Sequence, residues 1–148
     1  MKWKQFNTDT IKTPFEVVEE FTEGFEKATN GLVQLTIFEK SEVERLRKKY
    51  NANFQYDLIL HSQFMRNYKF DVFELLFDVT LYPCAIVLEK GLANELGVTS
   101  TDTIILDNVE ILKGILESIF NSKRFEDIVS GLMKISSFSK KKDDDLPF

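Results

Sequence analysis

Two runs of alternating side chains, separated by a gap too short for a crossover, constrain this chain's fold more than any other feature. From Phe54 to Gln63, the residues Phe54, Tyr56, Leu58 and Leu60 share one face, and Gln55, Asp57, Ile59 and His61 share the other. Phe64 to Asn67 turns the chain, and Tyr68 to Val79 returns as a long strand. So short a connection permits antiparallel pairing but not a parallel crossover. Upstream, Leu32–Glu39 reads as a strand with Val33, Leu35 and Ile37 on one side; downstream of Pro83, Cys84–Glu89 reads as another. Thr103–Leu106 reads as a short edge strand.

Helix starts are marked by capping chemistry. Thr13-Pro14-Phe15-Glu16 has the form of a capping box with Pro at the first helical position, and Phe15, Val18, Phe21, Phe25 and Ala28 continue one apolar face past Gly24 to a C-cap at Gly31. Ser41-Glu42-Val43-Glu44 opens a short helix to about Tyr50. Gly91 to Gly97 reads as a helical turn bracketed by glycines. Asp107, with Glu110 three residues on, is expected to cap a helix whose buried stripe is Val109, Leu112, Ile115, Leu116 and Ile119. Ser122 caps a last helix facing Phe125, Ile128, Val129, Leu132 and Met133 inward; Asn121 and Ser122 leave room only for a tight corner, hence a C-terminal helical hairpin. Consecutive strands and grouped helices predict an α+β fold: an antiparallel sheet of about four strands packed with helices. The composition shift at Ser136-Ser137-Phe138-Ser139-Lys140 predicts one globular domain over 1–135, then a short flexible Ser/Lys spacer and acidic tail over 136–148.

Composition sets the class. Hydrophobic content of 43%, with 14 Phe, supports a packed core; the Phe-rich stripes read as core, not as a base-stacking platform. Cys84 is the only cysteine, so no internal disulfide can form, and it reads as a small buried hydrophobe. No uninterrupted apolar run approaches membrane-spanning length and the start lacks a signal-peptide apolar region, so a cytoplasmic location is expected. Lys140–Lys142 cancel Asp143–Asp145, so the body carries the whole net charge of −5, a poor match for phosphate-driven nucleic-acid binding. The candidate exception is a basic helix with Arg45, Arg47, Lys48 and Lys49 beside Tyr50, with Lys123 and Arg124 as a second patch. His61 is the sole histidine and reads as a partly exposed strand residue; the carboxylate pairs Glu19-Glu20 and Glu42 with Glu44 read as solvated helix faces. No phosphate loop, dinucleotide fingerprint or zinc spacing occurs, so no cofactor, metal or catalytic residue is assigned.

The final residues carry the most specific signal. Asp143-Asp144-Asp145-Leu146-Pro147-Phe148 sets three carboxylates before an aliphatic, a proline and a closing phenylalanine. A pocket can take the ring while cations or backbone donors take a terminal carboxylate, and Pro147 lowers the entropy lost on docking. These six residues resemble, position by position, the acidic tip of bacterial single-stranded-DNA-binding proteins. The resemblance implies docking on replication, recombination and repair enzymes: helicases, nucleases, primosome and polymerase subunits, a recombination mediator. That family also carries a five-stranded barrel and a long Gly/Pro/Gln-rich linker, and this body has neither signature. The leading expectation is therefore a non-enzymatic interaction protein of bacterial or phage setting that recruits or blocks such an enzyme. The alternatives are a non-barrel single-stranded-DNA-binding protein using the basic helix, and a small cytoplasmic protein-binding domain whose tail is incidental.

Overall fold

The computed structural model describes residues 1–8, 10–47, 51–99 and 103–144, the side chains of 45–47 and 143–144 apart. The chain is α+β. Its strands are β1 (Gln34–Glu39), β2 (Phe54–His61), β3 (Lys69–Phe77), β4 (Cys84–Leu88) and β5 (Ile104–Leu106), and its helices are α1 (Pro14–Thr22), α2 (Phe25–Ala28), α3 (Glu42–Arg47), α4 (Lys90–Glu95), α5 (Val109–Phe120) and α6 (Lys123–Asp144). The strands form one open sheet in the order β1-β2-β3-β4-β5, every neighbour antiparallel. The expected count of about four strands becomes five, with β5 at the edge.

The alternation of β2 decides which face is buried. Leu58 and Leu60 are fully buried, opposite Phe73 and Phe70 of β3, and the same face continues through Ile86 and Cys84 to Leu106. Val17 and Val18 of α1 and Leu112, Leu116 and Ile119 of α5 cover it, fully buried. Aromatic rings fill the space between: Tyr56 stacks on Phe77 with centroids 5.9 Å apart, and Phe120 meets Phe125 edge-on at 5.2 Å. Most phenylalanines are thus core, as their spacing predicts.

The opposite face of β2 and β3 sets Asp57 directly across from Glu74. Like charges so placed repel. Lys40, just past β1, folds over them: its Nζ lies 2.7 and 2.8 Å from the two Asp57 carboxylate oxygens and 3.9 Å from Glu74, with only 3% of its side chain exposed. One buried cation holds two carboxylates.

Three expected boundaries move. The first helix breaks at Gly24, whose φ of +80° suits glycine and separates α1 from α2. The N-cap of α5 is Asn108, not Asp107; its side chain accepts from the Ile111 amide at 3.0 Å. The largest change is at the end. The domain does not stop near Ile135, because α6 continues to Asp144. Leu132 and Ser136 follow one another down its buried side, and the Ser136 hydroxyl, fully buried, donates to Ser62 Oγ at 2.9 Å. Ser136, which reads as spacer in the sequence, is a packing residue. Capping at Thr13 and Ser122 is as expected: each side chain accepts from the amide three residues on.

Replacing Lys40 by Ala should leave Asp57 without its buried cation and lower stability by about 3–5 kcal/mol. Urea unfolding checks this, and a loss under about 1 kcal/mol would show that the pairing is dispensable.

Candidate functional site

The acidic tip rides on α6, so the site begins with what fixes that helix. At its start the Ser122 hydroxyl donates to the Ile119 carbonyl at 2.7 Å and accepts from the Phe125 amide at 3.2 Å. The Glu95 carboxylate of α4 accepts from the amides of Lys123 and Arg124, both at 2.8 Å. Those amides are orphan donors at the positive end of the helix, and a carboxylate there is doubly favourable. Arg124 Nε donates to Glu89, which also caps α4 by accepting from the Gly91 and Leu92 amides. A Cβ on Gly91 would collide with the Arg124 guanidinium, so glycine there admits the contact.

Farther along, Ser136 is bonded to Ser62, the Ser139 hydroxyl lies 3.3 Å from Met65 Sδ, and Lys140 Nζ sits 5.7 Å from the centre of the Phe64 ring. Ser62 is itself a hub: its hydroxyl donates to the Leu32 carbonyl at 2.7 Å and accepts from the Phe64 amide at 3.2 Å. The C-terminal third of α6 is therefore moored to the turn between β2 and β3. Asp143 and Asp144 end the helix; Asp145, Leu146, Pro147 and Phe148 lie outside the described residues.

Beside that turn is a cleft of about 600 Å³, lined by Phe38, Ile59, His61, Ser62, Arg66, Asn67, Tyr68 and Lys69. Phe38 and Tyr68 are 46% and 40% exposed, leaving ring surface open to a visitor. The His61 imidazole is 2.9 Å from Thr36 Oγ1, and its ring centre is 6.1 Å from that of Phe38. Burial lowers the His61 pKa from its ordinary 6.5, against a smaller opposing pull from Glu26, so the ring is neutral at pH 7. The cleft's cations are Arg66 and Lys69, both exposed, and neither forms an ion pair with a described residue. Apolar walls with two unspent cations suit an anionic ligand that carries an aliphatic or aromatic group. Sequence reasoning missed the cleft. The one signal available was Ile59, an apolar residue on the otherwise polar face of β2.

The basic candidates fare differently from one another. Arg45 and Arg47 lie on α3, while Lys48, Lys49 and Tyr50 fall outside the described residues. Lys123 donates to Asp127 at 2.8 Å, and Arg124 is held by Glu89 and lies over the Phe70 ring. Carboxylates of the same chain meet both. Cys84 is buried, and burial pushes its thiol up to about 11, so the nucleophilic thiolate is scarce. Among the described residues no cluster of His, Cys, Asp or Glu could hold a metal ion, and no helix is long and apolar enough to cross a membrane.

No protein-family model, no curated protein and no solved structure matches this chain.

Two outcomes are expected. The Cε1 proton of His61, unique in the spectrum, should titrate with a midpoint below 6.5. As pH falls through 6.5 the unfolded chain takes its proton first, so this residue lowers stability from there down to its native midpoint and is neutral in effect above pH 7. Glu95→Ala should cost about 1 kcal/mol by uncapping α6; an unchanged urea midpoint would contradict that assignment.

Proposed function

We propose that this protein is a non-enzymatic adaptor whose tip, Asp143 to Phe148, docks on an enzyme of DNA replication, recombination or repair, recruiting or blocking it. The observation that carries the reading is the six-residue match to the tip of bacterial single-stranded-DNA-binding proteins. The course of α6 supports it, since a helix moored through Ser136 and Lys140 delivers the acidic residues at the end of a defined element. Burial of the Phe148 ring contributes about 1.5–3 kcal/mol. A charge-assisted hydrogen bond to one of the Asp143–Asp145 carboxylates contributes about as much again. After ordering costs, the affinity is on the order of micromolar and falls with salt. A cytoplasmic setting, bacterial or phage, belongs to the same reading.

Single-stranded-DNA binding by the body has less behind it. The face of the sheet away from α1 and α5 sets Asp57, Asp71 and Glu74 beside Lys40 and Lys69, and Lys123 and Arg124 are paired. Phosphate contacts need free cations.

Capture from bacterial lysate should retain a DNA-processing enzyme with the chain carrying Phe148. It should fail with Phe148 deleted, and equally with Phe148→Ala, while thermal melting stays the same in all three. Retention by either altered chain would sink the reading.

A further inference from the structure

The cleft beside the β2–β3 turn fixes more than the sign of a ligand's charge. We infer that it binds a small aromatic carboxylate, a ring system bearing a short acid-tipped arm, which lies on the sheet and runs from β1 toward the turn. This site and the adaptor reading are independent, and neither needs the other.

Sheet register places the parts. Thr36 pairs with Ile59, Gln34 with His61, and His61 in turn with Lys69. Side chains two apart on a strand share a face, so Phe38, Ile59, His61 and Lys69 all project from the side of the sheet away from α1 and α5. There the Phe38 and His61 rings meet at 51° with centres 6.1 Å apart, and Ile59 lines the same cleft. That corner gives a planar ring both a face and an edge to pack against. Thr36 Oγ1, 2.9 Å from His61 Nε2, fixes the imidazole. Arg66, Asn67 and Lys69 form the opposite border; all three are exposed, and none of their side chains has a hydrogen bond or ion pair with a described residue. Two strand spacings, about 9–10 Å, separate β1 from β3, a span that an indole ring with an acetate arm covers. The volume of about 600 Å³ is in the range of small-ligand sites. Two features select a carboxylate over a phosphate. The lining is strand and turn, without a helix N-terminus to hold a dianion. Lys69 also borders the hollow of Asp57, Asp71 and Glu74, which penalises a second negative charge. Arg66, planar and forked, is therefore the main partner of a monoanion.

The test titrates the full chain at neutral pH with indole-3-acetate and follows the amide signals and the His61 Cε1 proton. Saturable movement of Ile59, His61 and Arg66 to Lys69 is expected, with Kd on the order of 0.1–1 mM. Indole-3-ethanol keeps the ring without the charge, and acetate keeps the charge without the ring; each should bind at least about tenfold more weakly. Arg66→Gln should reduce indole-3-acetate to the affinity of the alcohol and leave the alcohol's own affinity unchanged. Phe38→Ala, at a position 46% exposed, should weaken both ring-bearing probes. Unmoved signals from Val17 and Leu116 in the core verify that both variants are folded. Equal affinity for the acid and the alcohol would overturn the inference and mark the cleft as an apolar groove for a partner's side chain. Movement that Arg66→Gln leaves intact, or that lies outside the cleft, would overturn it too. So would a lack of saturation by about 10 mM with indole-3-acetate, 1-naphthylacetate and 3-phenylpropionate alike.

Discussion

The hydroxyl of Ser136, buried against Ser62, is the contact on which the placement of the tip depends. Ser62 sits where β2 leaves the sheet and already bonds the Leu32 carbonyl and the Phe64 amide. Adding Ser136 ties the last helix to the same knot. A buried hydroxyl without a partner costs on the order of 1–3 kcal/mol, so neither serine is free to move alone. Through this knot the direction of α6 is set by the β2–β3 turn.

The other end of α6 is held by electrostatics. Glu89 and Glu95 of the α4 segment do three jobs between them: they cap α4, cap α6 and bind Arg124. Helix α6 is therefore fixed at its start by charge and near its end by small hydroxyls. On the side of the sheet away from α1 and α5, Lys40 solves a different problem, letting Asp57 and Glu74 sit across from one another in a folded chain.

How much of this was legible in the sequence depends on whether local or distant residues decide. Period-two alternation in β2 and capping chemistry at Thr13 and Ser122 are local, and both read correctly. Gly24 was ambiguous because a glycine inside an apolar stripe costs a helix only about 1 kcal/mol, and local spacing does not show whether it will be tolerated. The extent of α6 was misread because serine and lysine look like spacer until the partner of Ser136, 74 residues away, is known. Lys40 gave no sign of burial for the same reason: Asp57 and Glu74 reach it only through sheet register. The cleft joins β1, the end of β2 and the following turn, and its cations look ordinary in sequence. The likeness of the tip to a docking motif lies in six consecutive residues, so noticing it needs no distant partner.

The claim at the centre is the proposal that Phe148 seats in a pocket of a partner enzyme. The most direct measurement places a photoreactive phenylalanine analogue at position 148, irradiates cells, and maps the adducts. The account predicts links concentrated on a DNA-processing enzyme. Adducts scattered over abundant unrelated proteins, with no such enzyme enriched, would contradict it.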